Sequence, residues 1–280
     1  MNYVLYNPLS NNKRGALKLG ELNKYAPKED FEFTDITQID LNEFVSALTE
    51  NDKLFVVGGD GTLNVFANKL DNKIPDIPII YYPAGSGNDF MNDVSPDHKN
   101  AFIDLNNYIK DLPTATVKGK KYRFINGVGL GIDGYCCEMA NRKKEMGKKC
   151  SYTSIALRGF LFEFKPMTAK VTVDGVTQVF KDTWLVSVMK GKYFGGGCMV
   201  APMQDRNNES SELSVVLIHT KNRLKCLIAF SSVFSGTHLK YTDIVKVMSG
   251  KDIKVEYDTP SILQYDGETV TGVQEFSVQA

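Results

Sequence analysis

The stretch VVGGDGTLN, residues 56–64, constrains this chain more than any other. Residues 53–57 (KLFVV) are an apolar run short enough for a buried strand. The run stops at two glycines, after which Leu63, Phe66, Ala67 and Leu70 recur at helical spacing. Strand, glycine turn and helix start are the arrangement in which backbone N–H groups and the helix dipole hold a phosphate. Gly58, Gly59 and Gly61 lack a Cβ, so the main chain can approach an anion, and Asp60 places a carboxylate where cation-bridged phosphate tolerates it. A magnesium nucleotide is the natural occupant. The plain alternative is a tight turn whose aspartate caps a helix.

Two further stretches favour the nucleotide. Residues 82–89, YPAGSGND, again follow an apolar run and end in glycines, so two glycine loops leave two strand ends and can face one crevice. Residues 263–269, LQYDGET, set Asp266 and Glu268 two apart around a glycine. Carboxylates at that spacing at a strand end point to the same side, which suits a base and a metal or orienting partner.

GGDGTLN followed by PAGSGNDF resembles the diacylglycerol kinase catalytic domain family, in the bacterial lipid kinase branch that is also similar to sphingosine kinase and, more distantly, to NAD kinase and phosphofructokinase. The likeness continues through Asn7 and Pro8, FINGVGLGIDG at 124–134, YFGGGCMVAP at 193–202 and YDGE at 265–268. It implies ATP and Mg2+ as cofactors and a lipid alcohol as acceptor. Under the resemblance, the loop of Asn7, Pro8, Ser10 and Asn11 lies over the nucleotide phosphates and Thr37 gives a hydroxyl contact. Gly58, Gly59, Asp60, Gly61, Thr62, Asn64, Gly85, Ser86, Gly87, Asn88 and Asp89 complete the nucleotide site, with Asp60 as metal ligand. The same resemblance makes Asp266 the general base with Glu268 tuning it, and sphingosine-type relatives make Asp60 the alternative base.

The chain also departs from the family. Asn11 replaces a usual glycine, and Met91, Asn92 and Asp93 stand where a basic residue follows NDF. Bacterial relatives hold a structural magnesium through an aspartate in a PxxxxxDG-like segment before the strand at Leu213. This chain reads APMQDRNNESSELSVV there, with Ser210 and Ser211 at the Asp and Gly positions, which leaves that ion absent or differently bound.

The 280 residues suffice for one large domain or two ordinary ones. Alternating strands and helices up to the glycine loops imply an α/β domain with a parallel sheet, residues 1–115, closed by a helix near 100–110, and the resemblance makes it a nucleotide-binding, NAD kinase-like domain. Short strands then crowd together, at 114–117, 122–125, 169–173, 183–189, 213–219, 244–248, 253–257, 262–265 and 275–278. They imply an antiparallel β-sandwich-like domain, residues 116–280, which under the resemblance carries the acceptor site and base. Helices after Asp133, at 152–164 and at 223–239 interrupt it.

Charge balances at 33 basic against 33 acidic residues, so bulk electrostatics gives no argument for nucleic acid or for strong attraction to anionic membrane. The one strong charge run, RKKEMGKK at 142–149, reads as a phosphate or anionic headgroup patch or as a solvated linker before a core helix. Gly195, Gly196 and Gly197 read as a sharp bend or as a close backbone approach to a ligand. Five cysteines without metal-ligand spacing read as reduced thiols. The start, MNYVLYNP, lacks signal-peptide character, and the longest apolar run, 226–234, is far below the roughly 20 residues that span a bilayer. The expectation is a cytoplasmic, peripherally membrane-associated ATP:lipid phosphotransferase with ATP bound between its domains, homodimerisation being left open. Its rivals are a kinase of a soluble alcohol or dinucleotide and a nucleotide-binding module without turnover.

Overall fold

The computed structural model describes residues 1–8, 22, 31–70, 74–85, 87–97, 102–147 and 151–280, with the side chains of 144 and 153 left aside. The expected contacts Ser10, Asn11 and Ser86 and most of the first helix lie outside these residues. The chain divides into two units, Met1–Leu112 and Pro113–Ala280.

The amino-terminal unit is built on a sheet of β1 (Asn2–Tyr6), β2 (Phe31–Asp35), β3 (Lys53–Gly58), β4 (Ile79–Pro83) and β5 (Ile103–Asp104), in the order β2-β1-β3-β4-β5. The first four run parallel, and β5 joins β4 antiparallel. Every residue of β3 after Lys53 is buried, which is why its sequence is an unbroken apolar run and not an alternating one. The helices are α1 (Leu41–Ser46), α2 (Asp60–Leu70), α3 (Asp89–Val94) and α4 (Asn106–Ile109). Asp40 starts α1 by accepting from the Asn42 and Glu43 amides at 2.9 and 3.1 Å. α2 buries Leu63, Phe66, Ala67 and Leu70, the stripe expected from their spacing. The helix expected at 100–110 shrinks to α4, because Ile103 pairs with Tyr81 and Asp104 turns the chain by accepting from the Asn106 amide at 3.0 Å.

The carboxy-terminal unit is antiparallel. It contains β6 (Thr114–Val117), β7 (Lys120–Arg123), β8 (Gly127–Gly131), α5 (Ile132–Glu145), α6 (Tyr152–Arg158), β9 (Met167–Val173), β10 (Val176–Met189), β11 (Tyr193–Phe194) and β12 (Cys198–Met199). There follow β13 (Leu213–His219), α7 (Arg223–Ser231), β14 (Val245–Gly250), β15 (Asp252–Tyr265) and β16 (Glu268–Gln279). The main sheet runs β14-β13-β10-β8-β15-β16-β6-β7, with β9 pairing both β10 and β15. The long strands β10 and β15 therefore form a common spine whose gap is filled by β8 at one end and by β9 at the other. Register shifts between Phe180 and Thr183 and between Glu256 and Ser261 let each spine strand bend from one partner to the next. This is why the stretches 253–257 and 262–265, read separately from sequence, are one strand.

The core of this unit gathers alternate residues of these strands, among them Val128, Leu130, Val171, Val186, Val188, Val215, Val255 and Leu263. A second cluster packs Phe160, Phe164 and Trp184 against α7. The helix expected over 152–164 changes at Gly159 to a π-turn, Gly159–Glu163, which buries Phe160 and leaves Phe162 exposed. Gly195, Gly196 and Gly197 all have positive φ and form the bend between β11 and β12.

Candidate active site

In the amino-terminal unit the chain passes from β1 outward to β2 on one side and from β3 to β4 on the other, so strand order reverses between β1 and β3. Ligands of open α/β sheets sit beyond the carboxyl ends of strands at such a reversal. Asn7 and Pro8 follow β1, Thr37 follows β2, Gly58 to Gly61 end β3, and Gly85 to Asp89 follow β4.

The two glycine loops meet. An added Cβ on Gly85 would lie 2.5 Å from the Gly59 Cα, and one on Gly59 would lie 2.8 Å from the Gly85 Cα, so only glycine lets the backbones touch. Gly61 is exposed with open space around it. Asp60 does cap a helix, but not its own. Its Oδ2 accepts from the Asp89 amide at 3.0 Å and its Oδ1 from the Phe90 amide at 2.9 Å, so the carboxylate of the first loop holds the start of the helix that leaves the second.

Several expected nucleotide contacts instead shape these loops from within. Asn88, at φ 51°, exchanges hydrogen bonds with both backbone atoms of Gly85 at 3.1 Å. Thr62, Asn64 and Asp89 are buried. Thr37 donates its amide and hydroxyl to Asp35 Oδ1 at 2.9 and 2.7 Å, closing the turn after β2. Tyr81, which the sequence reading passed over, donates its hydroxyl to the Gly58 carbonyl at 3.0 Å, and burial pushes that phenol well above its ordinary range. Among the described residues no group of three or more His, Cys, Asp and Glu could hold a metal ion.

In the carboxy-terminal unit, Asp266 and Gly267 are the two turn residues between β15 and β16, at φ 46° and 94°. The sequence reading put Asp266 at a strand end, on one side with Glu268. The turn overrides that strand periodicity, and each carboxylate has its own surroundings. Asp266 Oδ2 accepts from the Ile125 amide at 2.6 Å, and its Oδ1 accepts from Asn126 and Gly127 at 2.9 and 3.1 Å. Glu268 is exposed and lines a cavity of about 360 Å³ with Glu138, Asn141, Arg142, Glu145 and Thr269. There the Thr269 hydroxyl, followed by Arg142, holds the Glu138 carboxyl below its usual range.

A buried polar layer backs the Asp266 turn, and sequence reasoning missed it. Gln264 accepts from the Gly267 amide at 3.2 Å and donates to Asp133 Oδ2 at 3.3 Å. Ser187 donates to the same oxygen at 3.5 Å. Burial pushes the Asp133 carboxyl up to about 6. Gly129 makes room for it, since a Cβ there would lie 1.9 Å from Asp133 Oδ2. Arg206, also buried, donates to the Ile125 carbonyl at 2.7 Å and to Asn126 Oδ1 at 2.9 Å.

Comparison with known proteins agrees with this architecture. Residues 2–116 match the diacylglycerol kinase catalytic domain, and residues 126–277 match the YegS C-terminal NAD kinase beta sandwich-like domain. The chain is 27% identical over 246 residues to "Putative lipid kinase YtlR" of Bacillus subtilis (strain 168), covering 77% of this chain and 74% of that one. It is 27% identical over 228 residues to a diacylglycerol kinase of Mycobacterium tuberculosis, covering 78% and 70%. A solved structure of a "putative diacylglycerol kinase" from Bacillus anthracis str. Sterne superposes with a TM-score of 0.69 at 18% identity, covering 99% of this chain and 91% of that one, which speaks to fold.

Proposed function

This chain belongs to the family that joins a diacylglycerol kinase catalytic domain to a YegS C-terminal NAD kinase beta sandwich-like domain, and from that premise we propose an ATP-dependent lipid kinase that transfers the γ-phosphate to the hydroxyl of diacylglycerol or a related lipid alcohol. The observation that carries the reading is the pair of glycine loops pressed backbone to backbone at the carboxyl ends of β3 and β4, beside the reversal of strand order. Such a surface offers main chain to phosphate without side-chain obstruction.

In the proposed reaction the acceptor oxygen bonds to the γ-phosphorus, the bond to the β,γ-bridging oxygen breaks, ADP leaves, and the acceptor proton passes to a carboxylate. Catalysis of such transfers is chiefly positioning and charge stabilisation. Asp266 is the proposed acceptor of the proton, because its YDGE segment resembles the one that carries the family's base, and three backbone N–H groups fix where its carboxylate stands. Magnesium, when bound, neutralises charge on the β- and γ-phosphates, and Asp60 is the carboxylate proposed to hold it.

A diacylglycerol acceptor stays in its bilayer. Among the described residues no helix is long and apolar enough to cross a membrane, so the proposed enzyme works from the surface. Exposed Leu157 and Phe162, with exposed Arg158 and Lys165, are the side chains proposed to meet it.

One observation favours a second reading. The cavity beside Glu268 is lined by charged and polar side chains, which suits a hydroxyl-rich acceptor of a soluble kinase better than acyl chains.

Labelled ATP supplied with diacylglycerol vesicles and, separately, with soluble polyols and NAD separates the readings. Label in the lipid phase, lost in Asp266→Asn, supports the lipid kinase. Label in an aqueous product supports the second reading, and ATP binding without any product sinks both.

A further inference from the structure

The 125–127 loop that donates its amides to Asp266 is gripped from its oxygen side by a buried cation. We propose that Arg206 is a positioning residue that fixes this loop, and through it the Asp266 carboxylate, without a divalent ion. Arg206 Nη1 donates to the Ile125 carbonyl at 2.7 Å and Nη2 to Asn126 Oδ1 at 2.9 Å. Asp266 meanwhile takes the amides of Ile125, Asn126 and Gly127. Guanidinium and carboxylate thus share the Ile125–Asn126 peptide unit, one on its carbonyl and the other on its N–H, and the guanidinium also holds the Asn126 side chain. A guanidinium can do this because its planar fork reaches two acceptors at once and keeps its charge at any physiological pH.

The segment around Arg206 does not fit a divalent ion. Asn208 Nδ2 donates to the carbonyls of Asp205 and Glu212 at 2.6 and 3.0 Å, and Gln204 Nε2 donates to the same two at 3.2 and 3.1 Å. Asn208 Oδ1 accepts from the Glu212 amide at 2.9 Å and the Ser210 hydroxyl at 3.0 Å. Gln204 Oε1 accepts from the Ser214 hydroxyl at 2.6 Å. Amide donors thus occupy the carbonyl oxygens that a hard cation would need, and Ser210 and Ser211 bring no carboxylate. The loop closes on itself, and Arg206 supplies the positive charge.

The catalytic part of this proposal rests on Asp266 acting in phosphoryl transfer; the structural part does not. The test uses the purified full chain without nucleotide, with EDTA or with millimolar magnesium, read by thermal unfolding and by amide hydrogen exchange. The wild-type unfolding midpoint and the exchange of the Ile125, Asn126 and Gly127 amides should be the same in both conditions. Arg206→Lys, a single-pronged cation, should speed exchange of those amides by about tenfold or more. In the kinase assay it should lower kcat by on the order of 10²-fold while the KM for ATP holds. A wild-type midpoint that falls on chelation, or loop amides in Arg206→Lys that exchange as in wild type, overturns the proposal. If Arg206→Lys does not fold, the chelation comparison on the wild type still decides. A chain that phosphorylates nothing yet passes the exchange test would sink the kinase reading and leave the arginine's structural role standing.

Discussion

The Asp174-Gly175 turn between β9 and β10 and the Asp266-Gly267 turn between β15 and β16 share a dipeptide and a left-handed conformation, with φ of 47° and 82° in one and 46° and 94° in the other. They also share a device. The Asp174 amide donates to the Asp252 carbonyl at 2.8 Å, and its Oδ1 accepts from the Lys251 and Asp252 amides at 3.0 and 2.9 Å. The Asp266 amide donates to the Gly127 carbonyl at 3.0 Å, and its carboxylate accepts from residues 125 to 127. Each aspartate leaves its own hairpin to seize the start of another strand, β15 in one case and β8 in the other. Amide capture by a turn aspartate is therefore a building habit of this unit, and alone it marks no active site. What distinguishes Asp266 is its backing: Arg206 on the captured loop, and Gln264 and Asp133 beneath the turn.

The largest effect should separate the two turns outright. Asp266→Asn should lower kcat by roughly 10²- to 10⁴-fold, the range expected for a lost proton acceptor, whereas Asp174→Asn should leave kcat unchanged. Equal losses in both variants would mean that the turns matter only as structure.

Next comes the acid beneath the turn. The Asp133 carboxyl, raised by burial from 3.8 to about 6, binds its proton more tightly folded than unfolded. Its contribution to stability is thus full below about pH 4 and is lost as pH rises through about 6. Relative to Asp133→Asn, wild type should lose up to about 3 kcal/mol between pH 4 and 7, read from urea unfolding across that range. Parallel pH curves would place the Asp133 proton elsewhere.

Gln264→Met should cost about 1 kcal/mol, because it removes two hydrogen bonds, one from the Gly267 amide, which water can still reach, and one to an Asp133 oxygen that keeps the Ser187 hydroxyl. The smallest effect belongs to Asp174→Asn, visible as faster amide exchange at Lys251 and Asp252. The contribution of Asp174, whose carboxyl the Asp252 and Lys251 amides hold below its usual range, is present above the unfolded carboxylate value and fades as pH falls through the folded one.

The contact between the two glycine loops was legible because it is made of backbone. A site that needs main chain at close quarters must spell itself in glycine, and Gly58, Gly59 and Gly85 do so. The polar layer behind Asp266 is made of side chains that meet across long separations. Arg206 lies 80 residues from Asn126, and Gln264 lies 131 from Asp133, so no local pattern announces either pair. Strand β3 was legible from its apolar run and β15 was not read as one strand, because its bend lies where partners change and not where the sequence breaks. The helix read over 152–164 holds as α6 to Arg158, and periodicity gave no warning of the π-turn at Gly159.

Asp60 belongs to one glycine loop and holds the first amides of the helix leaving the other, so neither loop can swing without dragging its neighbour. Those two bonds tie the start of α2 to the start of α3. A nucleotide bound there, as proposed above, should find its seat already cast, and the speed of its arrival should be set by encounter and not by any rearrangement of the host.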